Sequence, residues 1–377
     1  MKEYRDWQKN LFTQWYKTGF YGCVKARTGA GKTLAGISVI DQYRQMYPTM
    51  SIMVVVPSKK IAEGWEASFD EQAVDRVPIM SYTQAINRMH REGLTVDCLI
   101  LDECHRVSPE KQSSQVMNMG ARHILGLSAT PEGSVVVLGQ PFFTVDWEEA
   151  NLCPFTVHYT TFAPEEYESK AYNEWTKKMQ RVASDYTSGQ ATNLPPNRNK
   201  RYDQLVRMRR DCCYTFDSRI KHAINLIKPY AKAGKRIIVF AERNEQLRKM
   251  YEILLRDGIQ CSVCSQWMDT LKDFEEHRTN VLLLCKRLRE GWNDVTLEIE
   301  ILVAPTTREL SHTQVVGRVQ RQDPNNPNKH AHIICLLAEG TSDMSLTRKN
   351  DFPRSSVEII GIEKMVSKAN MSQETLE

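Results

Sequence analysis

The sequence predicts an α/β protein of two domains of similar build, each a parallel sheet covered by helices on both faces. Three observations carry that prediction. A chain of 377 residues exceeds what one hydrophobic core usually organises. Short apolar runs rich in β-branched residues alternate with longer mixed segments in two separate regions, 19–129 and 235–338. The runs are continuously apolar, which marks strands buried on both faces, and the segments between them are long enough for crossover helices.

Taken in order, the first region offers strands at "GFYGCVKA", "SIMVVVP", "VPIMSY", "DCLILDE" and "HILGLSA", with a helix at "GKTLAGISVIDQYRQMY". The second offers "KRIIVFAE", "QCSVCSQ", "NVLLLCK", "EIEILVAP" and "AHIICLLA", with helices at "NEQLRKMYEILLRDG" and "LSHTQVVGRVQR". Between the regions, "APEEYESKAYNEW" opens a charged amphipathic helix and "YTSGQATNLPPNRNK" is rich in turn formers. "SRIKHAINLIKPYAKAG" then reads as a helix leading into the second sheet. Residues beyond Gly340 are polar and weakly periodic. The boundaries that follow are an N-terminal domain at 1–155, a C-terminal domain at 156–345 with a helical lead-in at about 164–215, and a tail at 346–377.

Composition narrows the function. A net charge of +4 with 25% charged residues is only mildly basic, so overall charge does not by itself mark a nucleic-acid binder. Ten cysteines lie without framework spacing and "MKEYRDWQKN" holds no apolar signal segment, so a reducing, cytoplasmic setting is expected, the host cytoplasm for a viral protein. Runs such as "IMVVV" are far too short to cross a bilayer, and no membrane partner is expected. Cys261 and Cys264 are spaced like half a zinc site, but no second pair matches, and a strand would turn the two thiols to opposite faces. Trp65, Trp175, Trp267 and Trp292 could stack on bases, although a packed tryptophan is the commoner outcome.

Two motifs carry chemistry. "ARTGAGKT" follows a strand and opens a helix. Small residues at Thr28, Gly29, Ala30 and Gly31 let backbone N–H groups close around phosphates, Lys32 adds a positive charge near the β and γ phosphates, and Thr33 can ligate magnesium. Ala26 stands where the general pattern has its first glycine. "DECH" ends an apolar strand at its carboxyl end, where a doubly wound sheet binds ligands. There Asp102 would hold the magnesium, directly or through water, and Glu103 would orient or deprotonate the attacking water. Together the two motifs point to nucleotide hydrolysis with Mg2+.

From about residue 3 to 338 the sequence resembles the superfamily 2 helicases and translocases, on ordered motifs. The resemblance implies two RecA-like P-loop NTPase domains with parallel sheets and an ATP cleft between them. "YRDWQ" resembles the adenine-reading segment, with Gln8 on the base. "VVVPSK" and "MSYTQA" look like the first two nucleic-acid-contact motifs, which implies phosphate contacts from Pro57, Ser58, Lys59 and Thr83. "SATP" is similar to the coupling motif, which with "DECH" implies that His105, Ser128, Ala129 and Thr130 link hydrolysis to movement. "IIVFAER" resembles the fourth motif and "LLCKRLREGWNDV" the fifth. These imply nucleic-acid contacts from Arg243, Lys286 and Arg287 and nucleotide contacts from Glu290, Gly291, Asn293 and Asp294. The family usually has aspartate two residues after the glycine; Asn293 stands there, with Asp294 next.

"QVVGRVQR" looks like the sixth motif. The resemblance implies that Arg321 is an arginine finger, that Arg318 supports the γ-phosphate and that Gln314 lies near the water or phosphate. "DECH", "SATP" and "VVLGQPFFTVDWEEANLCPF" are most similar to phage branch-migrating and repair DNA helicases and to the helicase subunits of restriction enzymes. The expected partner is therefore DNA, single-stranded or branched, bound by a monomer that works with an accessory protein for processive unwinding. Other readings share the motifs: an RNA-stimulated ATPase, an ATP-switched clamp, and the motor subunit of a restriction or nuclease assembly.

Overall fold

The computed structural model describes residues 2–146, 148–150, 152–187, 197–285, 294–305, 318–348, 352 and 354–374. The chain forms two compact units: the described residues up to 153, with 294–295 and 318–327, make up the first, and the other described residues from 154 onward make up the second.

The first unit runs α1 (Asp6–Lys17), β1 (Tyr21–Lys25), α2 (Lys32–Met46), β2 (Ile52–Val56), α3 (Lys59–Gln72), β3 (Ile79–Ser81), α4 (Tyr82–Glu92), β4 (Cys98–Asp102), β5 (His123–Ser128), α5 (Val135–Leu138) and β6 (Phe143–Thr144). Its described strands form one parallel sheet in the order β3-β2-β4-β5-β1-β6. All five expected strands form; β6 is a two-residue addition.

The run "IMVVV" is buried throughout because its alternate residues feed two cores. Val54 and Val56 pack with Ile37 and Ile40 of α2 and with Trp65 and Phe69 of α3. Met53 and Val55 face the other way, against Tyr82, Ala85 and Ile86 of α4. α4 starts at a reciprocal cap: Ser81 Oγ accepts the Gln84 N–H at 3.2 Å, and Gln84 Oε1 accepts the Ser81 N–H at 3.0 Å.

The second unit runs β7 (Phe155–Phe162), α6 (Glu166–Thr187), α7 (Asn197–Tyr214), α8 (Asp217–Lys232), β8 (Ile237–Ala241), α9 (Asn244–Arg256), β9 (Ser262–Cys264), α10 (Leu271–Glu275), β10 (Val281–Cys285), β11 (Ile299–Leu302), β12 (Ala331–Ala338), β13 (Val357–Gly361) and α11 (Ile362–Glu374). Its described strands are again all parallel, in the order β13-β7-β12-β11-β8-β10-β9. The five strands read from the sequence are β8 to β12.

Three features depart from the sequence reading. The first is β7, which no apolar run announces, since His158, Thr160 and Thr161 interrupt its pattern. Its polar positions are satisfied inside the sheet: His158 bonds Glu358 of β13 at 2.9 Å and His332 of β12 at 3.0 Å. The tail expected at 346–377 is instead built into the unit. β13 pairs with β7, and Met365 and Ala369 of α11, which packs against α8, β7 and β13, join the unit's core.

The third departure concerns 318–327, which lies between β11 and β12 of the second unit in sequence yet groups with the first unit. There the Cys153 N–H donates to the Gln320 carbonyl at 2.9 Å, and Gln322 Nε2 donates to the Leu152 carbonyl at 3.4 Å. Of the helix expected at "LSHTQVVGRVQR" only residues 318–321 are described, and they form a turn and a bend.

Candidate functional site

A parallel sheet delivers the carboxyl ends of its strands to one edge, and the motifs collect there. Lys25 at the end of β1 is in register with Ser128 at the end of β5, and Leu127 of β5 is in register with Asp102 at the end of β4. The loop after β1 is anchored by the Ala26 N–H, which donates to the Ser128 carbonyl at 2.9 Å. Gly29 and Gly31 both adopt left-handed backbone, at φ 86° and 89°. That conformation turns successive N–H groups inward and makes an anion-binding concavity at the start of α2.

Lys32 is nearly buried, with its ammonium 3.7 Å from Glu103 Oε1 and 3.4 Å from the Ala26 carbonyl. A lysine carrying three donors and only long contacts at the mouth of such a loop fits a triphosphate, and Thr33 and Asp102 offer the oxygens a hard divalent cation takes.

The adenine candidate Gln8 is buried beside this loop. Its Nε2 donates to the Gly31 carbonyl at 2.9 Å and its Oε1 accepts the Arg5 N–H at 2.8 Å. Arg5 also braces the loop, donating to the Ala30 carbonyl at 2.8 Å and the Ala150 carbonyl at 2.5 Å.

Asp102 and Glu103 sit in contrasting surroundings. Asp102 Oδ2 accepts the Trp65 indole N–H at 2.9 Å, and Oδ1 accepts the Glu103 N–H at 3.0 Å. Burial, reinforced by the Glu103 carboxylate, raises Asp102 to about 6. Burial would raise Glu103 as well, but Lys32, His105 and Arg106 together outweigh it and bring its carboxyl down to about 2. Glu103 is held in left-handed backbone at φ 49°, an unusual conformation for a glutamate that swings it out of the strand direction.

His105 Nδ1 lies 3.2 Å from Glu103 Oε2 and 3.0 Å from Ser128 Oγ, which in turn accepts the Thr130 N–H at 3.1 Å. The coupling candidates His105, Ser128 and Thr130 therefore form one hydrogen-bonded chain ending on Glu103, with Ala129 buried beside them.

Pro57, Ser58 and Lys59 lie where β2 passes into α3, and Thr83 is exposed in the first turn of α4. The Lys59 side chain is 92% exposed. Arg243 caps α9 in the second unit, where its guanidinium pairs with Asp211 at 2.7 Å. Arg318 and Arg321 lie on the turn grouped with the first unit, and burial next to Arg318 lowers Arg321 to about 10. Asp294 is half-buried. Lys286, Arg287, Glu290, Gly291, Asn293, Gln314 and Trp292 lie outside the described residues.

Three residues that touch this site are given no role by the sequence motifs: Trp65, Tyr82 and Arg5. Trp65 was one of four tryptophans with nothing to rank them, and the partner atoms of all three lie far off in the chain.

The family of the type III restriction enzyme res subunit matches residues 1–81 and 75–133. The chain is 21% identical over 387 residues to the DNA 3'-5' translocase XPB2 of Sulfurisphaera tokodaii, a match covering 92% of this chain and 84% of that protein. The helicase domain of Pyrococcus furiosus Hef shares its fold, with TM-score 0.60 and 14% identity across 93% of this chain and 98% of that one. The ATP-dependent type ISP restriction-modification enzyme LlaBIII, solved bound to DNA, does so with TM-score 0.61 and 15% identity, covering all of this chain and 33% of that one.

Proposed function

We infer that this chain, a superfamily 2 helicase or translocase, couples ATP hydrolysis to movement along or remodelling of DNA. The observation that carries the reading is the convergence of Lys32, Asp102, Glu103, His105 and Ser128 at one edge of a single parallel sheet. A phosphate loop, an adjacent carboxylate pair and a side-chain chain leading away from them are what a hydrolase needs if it is to report its nucleotide state elsewhere.

In this reading Lys32 and the backbone of 28–31 hold the phosphates and Gln8 reads the base. Thr33 and Asp102 hold Mg2+, whose charge offsets that of the phosphates. Ionised Glu103 accepts a hydrogen bond from the attacking water and orients it, while His105 and Ser128 relay its position. Arg318 and Arg321 supply positive charge to the transferring phosphoryl group. Ser58, Lys59 and Thr83 meet the nucleic-acid backbone on the first unit and Arg243 on the second, so affinity should fall with salt.

DNA is favoured over RNA by the DNA translocase relative and by the first-unit match to a restriction-enzyme family. The test is the ATPase rate of wild type and Lys32→Ala without nucleic acid and with single-stranded, duplex and branched DNA and RNA. Strong stimulation by DNA, lost in Lys32→Ala, is the expected result. Stimulation by RNA alone would overturn the substrate, and no turnover with any of them would overturn the motor.

A further inference from the structure

The helices that begin at the two proposed nucleic-acid contacts each send an aromatic side chain to the same aspartate. α3 starts at Ser58 and Lys59 and carries Trp65, whose indole N–H donates to Asp102 Oδ2 at 2.9 Å. α4 starts beside Thr83 and carries Tyr82, whose hydroxyl donates to the Asp102 carbonyl at 3.0 Å. The two come from opposite faces of the sheet, since Trp65 packs in the core with Ile100 and Tyr82 in the core with Leu99 and Leu101.

Neither is a loose contact. Trp65 is fully buried, and its ring lies so close to α2 that a Cβ at Gly36 would come within 2.3 Å of it. Packing alone does not require an indole there, since an apolar ring of similar size would fill the space without bringing a polar atom inside. With the Glu103 N–H on Oδ1, each carboxylate oxygen of Asp102 has one donor from the chain, which fixes the side chain and leaves lone pairs free for another ligand. A shift of either helix by an ångström would break a bond of this length.

We propose that Trp65 and Tyr82 are positioning residues that couple binding of a nucleic-acid backbone at the N-termini of α3 and α4 to the orientation of Asp102. The proposal rests on the reading of this chain as a nucleic-acid-dependent ATPase. Coupling of this kind is reciprocal: whatever factor the nucleotide applies to nucleic-acid affinity, nucleic acid applies to nucleotide affinity.

The test uses the full chain as wild type, Trp65→Phe and Tyr82→Phe, with thermal melting to establish that each folds. The affinity for a labelled single-stranded oligonucleotide is measured with and without a non-hydrolysable ATP analogue and Mg2+, and the ratio is the coupling factor. Factors of about 5–150 are usual for coupled sites. Trp65→Phe should bring the ratio close to one, and Tyr82→Phe should lower it part of the way. A ratio unchanged in both variants overturns the proposal even if their ATPase rates fall, because a residue that only packs can slow turnover without uncoupling the sites. If Trp65→Phe does not fold, Tyr82→Phe, which removes a single hydroxyl, decides alone. Failure of the underlying reading shows in the wild type by itself, as an ATPase that no nucleic acid stimulates, and it takes the proposal with it.

Discussion

Gly31 shows how much one position can constrain this site. Its backbone lies at φ 89°, where an L side chain is strained, and a Cβ built there would sit 2.5 Å from Gln8 Nε2. Gly31→Ala therefore costs about 1–2 kcal/mol in backbone strain. It also pushes Gln8 off the Gly31 carbonyl and so moves the proposed base reader. The expected outcome is a lower melting temperature together with loss of preference for ATP over GTP in kcat/KM. Gln8→Ala should lose the same preference without the backbone strain, so comparing the two variants separates the loop's shape from the base contact. If Gln8→Ala kept its ATP preference, Gln8 would not be the reader.

At the scale of elements, the edge β13-β7-β12 carries a histidine cluster in place of an apolar seam. His158 lies between Glu358 and His332, the rings of His330 and His332 are 4.9 Å apart, and Lys368 pairs with Glu358 at 2.7 Å. Burial, with His158, His330, Lys235 and Lys368 adding positive charge, lowers His332 to about 3; burial also lowers His158. The unfolded chain then takes up these protons first, so the stability of the neutral cluster is complete above about pH 6.5 and is lost as pH falls. For His332 alone the loss between pH 7 and pH 5 is about 2 kcal/mol. The lowered Glu358 carboxyl adds to it only at more acid pH. Denaturant midpoints at the two pH values should converge in His332→Phe, and an unchanged gap would remove His332 as the cause. The same edge explains what the sequence hid. The ten strands read from it are dominated by apolar residues, whereas β7 owes its stability to partners in β12 and β13 that no local pattern contains. The motifs at the site were legible because each is a contiguous loop at a strand end. Trp65, Tyr82 and Arg5 were not, because their partners lie 37, 20 and 25 residues away in sequence.

At the scale of the whole molecule, the two units have separate cores, so unfolding need not be a single transition. The second unit turns on Arg219, fully buried on α8, which donates to the carbonyls of Cys213 at 2.8 Å, Val303 at 3.0 Å and Leu336 at 2.8 Å and pairs with Asp343. Burial works against this charge, but Asp343 and Cys213 more than offset it and hold the guanidinium above its ordinary value. Removing the carboxylate leaves a buried cation without its counter-charge, which costs about 3–5 kcal/mol, whereas replacing both partners with apolar residues costs far less. The proposed nucleotide site lies in the first unit, where ATP at a hundred times its Kd would add about 2.7 kcal/mol. Calorimetry of Asp343→Ala should therefore show one transition moved down, and a second at its wild-type temperature that still rises on adding ATP and Mg2+. Arg219→Met with Asp343→Leu should restore most of the lost transition. If instead the ATP-sensitive transition fell together with the other, the two units would fold as one body, and stability in the second would bear directly on the nucleotide site in the first.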